Sequence, residues 1–272
     1  MELESRIEDF KKRGLGVAAL SYDSVPVLKD FSARRGITYP LLSDPGSKII
    51  RAFGLMNEID YPEGHMAHGV PFPGTFVTDA RGVITGKQFE PEYQERRTAA
   101  SLLVSMGEGG AGPGMEIVKD QFVLRTSVSN AEVAPGRRVT LVLDFRMAPG
   151  MHAYAPGVKG YRPLRLRLAE SPLVTAHEVV YPESRPYTFE PLKETVPVFE
   201  GHFRILQDVT AVGPARGAAP VEQIDLNATL DIQVCSETVC YAPTSIPLRW
   251  TLKMIPLDRE RAPEALRRKP QP

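Results

Sequence analysis

The stretch IDLNATLDIQVCSETVCYAPTSIPLRWTLKM, residues 224–254, alternates apolar and polar residues on both sides of the only two cysteines in the chain. Such an alternation is typical of β-strands that bury one face. Cys235 and Cys240 are separated by four residues, so a hairpin would place them opposite each other at the mouth of its loop. Opposed Cα atoms lie about 4.5–5.5 Å apart and disulfides favour about 4.4–6.8 Å, so a disulfide is feasible without rearrangement.

The same period of two recurs over much of the second half of the chain. Its intervals are typical of an antiparallel sandwich. The further strand-like segments are residues 121–129, 137–147, 164–170, 175–182 and 203–212. The pattern predicts an all-β domain over residues 116–255, and the polar, proline-bearing residues 256–272 are expected to form a loose tail.

The first part of the chain has a different pattern, in which helical and strand-like segments alternate. Helices are predicted over residues 2–13, 24–35, 45–54 and 91–106, and strands over 15–21, 39–44, 74–79 and 83–90. Apolar strands separated by helices predict an α/β domain over residues 1–105 with at least one parallel strand pair. Residues 106–115 are rich in glycine and are expected to be a flexible linker between the two domains.

The cysteine pair has three possible roles. A metal site would need two further ligands, and there is no third cysteine, so no metal is expected. As a staple the bond would close a short loop, which the chain-entropy model values at about 2 kcal/mol, against about 4.7 kcal/mol for a loop of 100 residues. A local brace stays open as an alternative, but a reversible dithiol/disulfide is the preferred interpretation.

Composition limits the partners. Lys plus Arg and Asp plus Glu both total 33, so the formal net charge is zero and no strong field favours nucleic acid. No apolar run approaches the roughly 20 residues that span a bilayer, and no signal peptide is recognised in this chain.

No glycine-rich phosphate loop follows a strand, so no cofactor is expected. His65 and His68 share an H-x-x-H spacing, but the surrounding prolines and glycines favour an ordinary polar loop.

Residues 14–54, GLGVAALSYDSVPVLKDFSARRGITYPLLSDPGSKIIRAFG, and residues 70–86, VPFPGTFVTDARGVITG, resemble the peroxiredoxin (alkyl hydroperoxide reductase/thiol-specific antioxidant) family. The resemblance covers about residues 1–105 and implies a thioredoxin-like fold, with Pro73 as the cis-proline of that superfamily. It also implies that the domain is incomplete, because this chain opens inside the helix that carries the family's catalytic cysteine. Neither that cysteine nor the strand before it is present, so Met1 is expected not to be the natural start and the region to be poorly stable alone.

CSETVCYAPTSIPL (235–248), PGMHAYAP (149–156) and VPVFEGHF (196–203) are similar to the amino-terminal domain of the thiol:disulfide interchange protein DsbD. That resemblance implies an immunoglobulin-like sandwich over residues 116–255 with Cys235 and Cys240 as its redox pair, although the spacing is one residue shorter here. It implies that Phe199 caps the pair and that His152 and Tyr154 line it. These three residues are also what a sandwich core or rim would contain.

The two resemblances together imply a thiol–disulfide oxidoreductase that exchanges electrons through Cys235 and Cys240 by way of a mixed disulfide. The implied partners are thiol or disulfide proteins, including a membrane-embedded electron donor, and the implied compartment is periplasmic or extracytoplasmic, with the cytoplasm as the alternative. A non-catalytic binding sandwich with a structural disulfide is the second hypothesis. A peroxidase ranks third, because the peroxidatic cysteine is missing.

Overall fold

A computed structural model of the protein describes residues 2–57, 65, 68–90, 95–189, 193–214, 217, 219–258, 260 and 263–266. The chain divides into two compact units. The first comprises Met1–Ala99 with Leu257–Pro272, and the second comprises Ala100–Pro256.

The first unit mixes helices with short strands. Its helices are α1 (Glu2–Ser5), α2 (Ile7–Lys12), α3 (Val25–Arg35) and α4 (Lys48–Ala52), with a 3-10 helix at Glu264–Leu266. Its strands are β1 (Ala19–Ser21), β2 (Leu41–Ser43), β3 (Gly74–Thr78), β4 (Ile84–Phe89) and the two-residue β5 (Arg96–Arg97).

Helix α3 connects β1 to β2, which run parallel, as the alternation of helix and strand predicts. The helix follows Ser24 as its N-cap, has a proline in its first turn, and ends at Gly36, which adopts the left-handed conformation with φ 62°. Strands β3 and β4 form an antiparallel hairpin, in which Asp79 accepts backbone hydrogen bonds from Arg81 and Val83 across the turn.

Strand pairs β1–β2 and β3–β4 are two separate two-stranded sheets within the described residues. The apolar residues of the β1–β2 pair also divide between two faces. Ala19 and Leu41 pack with Ile7 and Ile37, whereas Leu20 and Leu42, which are register partners, are 38% and 50% exposed. A parallel pair usually has both faces covered, so this part of the unit is only half covered.

The second unit is almost entirely β-structure. It begins with helix α5 (Ala99–Ser105), which starts at the last residue of the first unit. Its strands are β6 (Glu116–Val118), β7 (Phe122–Val128), β8 (Glu132–Val133), β9 (Arg137–Met147), β10 (His152–Tyr154), β11 (Arg165–Leu168), β12 (Val174–Val180), β13 (Arg185–Phe189), β14 (Glu194–Glu200), β15 (His202–Ala211), β16 (Gln223–Ile232), β17 (Val234–Cys235) and β18 (Thr244–Met254).

Two sheets of this unit share one hydrophobic core. One has the strand order β12-β15-β9-β7-β6 and the other β11-β16-β18-β8. Leu143 and Ile205 come from the first sheet, and Leu230 and Trp250 from the second. All four are at most 1% exposed, because the alternation of each strand turns every second residue inward. A third sheet, β13-β14-β10-β17, carries Cys235.

The glycine-rich segment is not the flexible linker that its composition suggests. Gly112 donates a hydrogen bond to the Val128 carbonyl, and a Cβ on Gly114 would collide with the carbonyl oxygen of Thr126. Arg204 also donates to the carbonyl oxygens of Gly107 and Glu108. The glycines therefore allow two backbones to approach closely, and the segment is docked on β7.

Two other expectations about boundaries need correction. The helix expected over residues 91–106 is a helix only from Ala99, since residues 96–97 are extended and residues 91–94 lie outside the described part of the chain. Within the expected loose tail, Asp258 and Glu260 form ion pairs with Arg34 and Arg35 on α3. These ion pairs connect the start of the tail to the first unit. Within the described ranges, no helix is both long and apolar enough to cross a bilayer.

Candidate active site around Cys235 and Cys240

The two cysteines face each other across a hairpin and form a disulfide. Backbone hydrogen bonds flank the pair, from Ser236 N–H to Val239 at 2.8 Å and from Tyr241 N–H to Val234 at 2.9 Å. This pattern places the cysteines at a non-hydrogen-bonded position of the antiparallel ladder, where opposed Cα atoms are closest. Their Cα atoms are 4.0 Å apart.

The loop between the cysteines is organised by Ser236. Its hydroxyl oxygen accepts hydrogen bonds from the backbone N–H groups of Thr238, at 3.2 Å, and Val239, at 3.0 Å. A serine that bonds to the backbone two or three residues ahead favours a turn over a continued strand. The sequence SETV therefore closes the hairpin locally and sets the two sulfurs opposite each other.

The two halves of the disulfide differ sharply in solvent access. Cys235 is 1% exposed and packs with Tyr154, Val196 and Val198. Cys240 is exposed. Its chain neighbours Val239 and Tyr241 are 51% and 37% exposed.

Strand β10 supplies two of the residues expected at the site. His152 is the register partner of Cys235, and Tyr154 is the partner of Val198 on β14. Because side chains alternate along a strand, His152, Tyr154 and Val198 lie on the same face as Cys235. Ala153, between them, points into the main core.

Four rings form a cluster beside the disulfide. His152 lies 4.2 Å from Tyr187 and 5.6 Å from Tyr154, and Tyr154 stacks on Tyr161 at 4.4 Å, all measured between ring centroids. Burial lowers the pKa of His152, against the opposing effect of Glu200, and so favours the neutral imidazole.

Tyr154 reaches the outer sulfur. Its hydroxyl oxygen is 3.6 Å from Cys240 Sγ, and burial, assisted by Tyr161, Glu194 and Tyr187, raises the pKa of Tyr154 to about 12. The neighbouring Tyr161 hydroxyl donates a 2.8 Å hydrogen bond to Glu194. A protonated phenol on Cys240 can donate a hydrogen bond to sulfur, which is a weak acceptor as a disulfide and a strong one as a thiolate.

Phe199 does not cap the disulfide. It is 3% exposed, and its ring packs against Tyr181 and Phe203 in the main core, in a cluster separate from that of Cys235. The reason is strand parity, because Phe199 pairs with Ala153 and so faces the opposite side of the sheet from Val198. The expectation of a Phe199 cap is wrong.

The peptide bond before Pro73 is trans, which corrects the expected cis-proline. Trans is the isomer of lower energy, and the flanking backbone is paired in that form. Phe72 N–H donates to the Leu55 carbonyl, and the Pro73 carbonyl accepts from Glu90 N–H. Pro73 therefore acts as the residue that leads into β3.

Sequence reasoning missed Tyr161 and Tyr187, and it missed β13 and β14 as strands. The alternation TVPVF in residues 195–199 does carry a strand signal. Tyr161 carries none, because it lies in a loop between two glycines and a proline, at residues 157, 160 and 163. Only the folded chain brings that loop to the disulfide.

Two family models match different parts of this chain. Residues 1–87 match the AhpC/TSA family, and residues 119–247 match the model described as thiol:disulfide interchange protein DsbD, N-terminal. The second match contains both cysteines and all four rings of the cluster.

Curated relatives match the first region. Alkyl hydroperoxide reductase E of Mycobacterium tuberculosis is 31% identical over 109 residues, which is 39% of this chain and 66% of that protein. Chloroplastic peroxiredoxin Q of Arabidopsis thaliana is 33% identical over 88 residues, covering 31% of this chain and 38% of the relative. Another Mycobacterium tuberculosis protein, named as a putative peroxiredoxin, is 34% identical over 88 residues, which is 55% of its length. The chain thus spans only part of the length of each of these relatives.

Two solved structures resemble part of the chain. The N-terminal periplasmic domain of ScsB from Proteus mirabilis aligns with TM-score 0.36 at 17% identity, covering 49% of each chain. The reduced DsbD N-terminal domain of Neisseria meningitidis aligns with TM-score 0.29 at 16% identity, covering 42% of this chain and 80% of that one. Both TM-scores are low, and neither structure defines the fold of this protein.

Proposed function

From an AhpC/TSA-family region joined to a DsbD N-terminal domain in one chain, we propose that this protein is a thiol–disulfide oxidoreductase whose exchange centre is the Cys235–Cys240 disulfide. Peroxiredoxins and DsbD-like proteins are thiol oxidoreductases, which supports this general class of reaction. The observation that carries the proposal is the unequal burial of the two cysteines within one disulfide.

Unequal burial assigns a role to each cysteine. Thiol–disulfide exchange needs a thiolate to reach one sulfur, so access decides which sulfur is attacked. Cys240 is exposed and Cys235 is 1% exposed. Cys240 is therefore the exchanging cysteine and Cys235 the resolving one.

The reaction starts when a thiolate of a partner dithiol attacks Cys240 Sγ. A bond forms between the partner sulfur and Cys240 Sγ, the Cys235–Cys240 bond breaks, and its electron pair stays on Cys235 Sγ, which then takes a proton from water. The second partner thiolate attacks the partner sulfur of the mixed disulfide and releases Cys240 as a thiolate. The partner dithiol is oxidised to a disulfide by two electrons, and the cysteine pair of this protein is reduced.

The reverse direction passes the electrons on. The Cys240 thiolate attacks an acceptor disulfide, and Cys235 then attacks Cys240 Sγ to release the acceptor as a dithiol. The partners proposed are therefore proteins with exchangeable thiols or disulfides, with a membrane-embedded dithiol protein as the donor. The DsbD N-terminal match also supports an extracytoplasmic site of action.

Two finer assignments complete the proposal. The all-β unit is assigned as an immunoglobulin-like sandwich, supported by two sheets around a common core whose strand pairs are all antiparallel except β18–β8. The peroxiredoxin-like region is assigned no peroxidase chemistry, because the only cysteines of the chain are Cys235 and Cys240 and both lie in the other unit.

The test uses the full chain with a single cysteine removed in each variant. Cys235→Ser leaves the exposed Cys240, and Cys240→Ser leaves the buried Cys235. With oxidised glutathione, Cys235→Ser should form a mixed disulfide at least about tenfold faster than Cys240→Ser, since access and thiolate character control thiol reactivity. Mass spectrometry of quenched samples gives both rates, and circular dichroism shows whether each variant is folded.

The wild-type disulfide is titrated in glutathione buffers alongside these variants. An exchange centre should have a potential above about −300 mV, whereas a resistant structural disulfide lies below that value. A potential well below this limit would make the pair a brace in a binding sandwich. Equal rates for the two folded variants would remove the assignment of Cys240 as the attacked sulfur.

A further inference from the structure

The hydroxyl of Tyr154 stands against the sulfur that exchanges. Its oxygen is 3.6 Å from Cys240 Sγ, within the range of a hydrogen bond to sulfur. Tyr154 is 4% exposed although Cys240 is exposed, so the phenol approaches the sulfur from the protein side and leaves the solvent side open. A partner thiolate can therefore reach Cys240 without displacing this ring.

The Tyr154 ring is fixed by its neighbours. Its backbone is held in β10 between β14 and β17, and its ring stacks on Tyr161 at 4.4 Å. Tyr161 is held in turn by its hydrogen bond to Glu194. A side chain with so little freedom loses almost no further entropy when it donates a hydrogen bond.

The Tyr154 hydroxyl is a permanent donor near neutral pH. Burial raises its pKa to about 12, so the proton stays on oxygen wherever a thiol of ordinary pKa titrates. The reduced Cys240 offers that proton either a neutral thiol or a thiolate, and hydrogen bonds to ionised groups are roughly twice as strong as those to neutral ones. A donor of this kind favours the ionised form of its acceptor.

We propose that Tyr154 is a positioning residue whose hydroxyl donates a hydrogen bond to the Cys240 thiolate. This hydrogen bond increases the fraction of reduced Cys240 that is ionised and able to exchange. This role rests on the proposed function, in which Cys240 is the exchanging cysteine. The other titratable and charged groups around the pair are His152 on β10, Arg185 and Tyr187 on β13, Glu194 and Glu200 on β14, and Tyr161 and Glu237 in the two loops.

Removing the hydroxyl should shift the titration of one sulfur. In the reduced protein, Tyr154→Phe should raise the pKa of Cys240 by about one unit, which is a tenfold loss of thiolate at a pH below that pKa. Tyr161→Phe is the matched control, because it also deletes a phenolic oxygen and keeps the ring that stacks on Tyr154. The Tyr161 hydroxyl of the wild-type protein bonds Glu194 and not the sulfur.

The experiment measures alkylation of Cys240 by iodoacetamide as a function of pH in the fully reduced full-length chain. Fragment ions separate the labels on Cys235 and Cys240. The midpoint for Cys240 should rise in Tyr154→Phe and stay at the wild-type value in Tyr161→Phe. An unchanged midpoint in Tyr154→Phe, or an equal rise in both variants, overturns the role of Tyr154.

A second variant guards against a packing defect in Tyr154→Phe. Replacing Tyr154 by 3-fluorotyrosine keeps the ring and strengthens the phenol as a donor, so the Cys240 midpoint should move down, opposite to Tyr154→Phe. Movement in the same direction as Tyr154→Phe, or none, contradicts the proposal. Alkylation needs no exchange partner, so these results are independent of whether the disulfide proves to be exchangeable or a brace.

Discussion

The two units of this protein differ in how completely their strands are paired and covered. In the second unit, β9 lies between β7 and β15, and its Leu143 is fully buried in a core shared by two sheets. In the first unit, β1 and β3 each have one partner within the described residues, and Leu20 and Leu42 remain exposed on the β1–β2 pair.

The difference shows that a correct local pattern does not by itself produce a core. Both units have strands and turns where the sequence predicts them, and α3 has its N-cap serine and its terminal glycine in place. A strand gains most of its stability from neighbours on both edges and from burial of its apolar face. In the second unit, most strands have both the neighbouring strands and the buried apolar face. In the first unit, β1 and β3 each have one neighbouring strand within the described residues, and the β1–β2 pair is buried on one face.

Hydrogen exchange should show the largest contrast. Amides of β9 and β15 should exchange only on global unfolding of their unit, whereas those of β1 and β2 should exchange through small local openings. We expect protection to differ by at least about a thousandfold, which corresponds to roughly 4 kcal/mol. Exchange of the full chain followed by mass spectrometry measures both sets of amides in one sample, and similar protection in the two units would end the comparison.

Two phenylalanine substitutions, one in each unit, test the same comparison. Phe199→Ala should cost about 3–5 kcal/mol of unfolding free energy, because its ring is 3% exposed in the core. Phe89→Ala, in the first unit, should leave the unfolding free energy of the second unit unchanged within about 0.5 kcal/mol, because Phe89 lies outside the core that contains Trp250. Chemical denaturation followed by the fluorescence of Trp250 reports on the second unit.

The Phe199 variant also tests the discarded role of that residue. If Phe199→Ala kept its stability and reacted faster with small thiols, the cap would be restored and the core position refuted.

Two glycines of the docked segment give a smaller effect. Gly114→Ala should cost about 1–3 kcal/mol, since its Cβ meets the Thr126 carbonyl and the backbones must separate. Gly109→Ala should change stability by less than about 0.5 kcal/mol, because no atom lies within 4 Å of the added Cβ. Equal stability of the two variants would show that the segment behaves as the flexible linker that its composition suggests.

The smallest effect is expected from the buried imidazole. Burial lowers the pKa of His152 in the folded state below the ordinary value of 6.5, so the unfolded chain binds a proton more readily. Its contribution to stability is complete above the unfolded pKa and is lost as the pH falls through the lowered folded pKa. Urea unfolding between about pH 7.5 and 5 should therefore show a steeper acid loss for wild type than for His152→Gln. Parallel curves would mean that His152 is hydrated.

The elements that depend on neighbours along the chain could be predicted from the amino-acid sequence. Strands β9, β15 and β18 could be predicted from their period of two, α3 from its caps, and the disulfide hairpin from two cysteines flanking a loop of four residues. Each of these depends on contacts within a few residues, where residue type and spacing are sufficient.

The face that each strand presents, and the residues that pack against that face, depend on contacts formed in the folded protein. Parity within β14 sends Val198 to the disulfide and Phe199 to the core, although the two residues are adjacent and both apolar. The stack of Tyr161 on Tyr154 depends on how a loop without a strand or helix pattern folds back onto β10. The close approach of Gly114 to β7 occurs in a segment whose glycine-rich composition suggests flexibility. The unequal burial of Cys235 and Cys240 has the same origin, because solvent access is a property of the packed surface and cannot be read from two identical residues five positions apart.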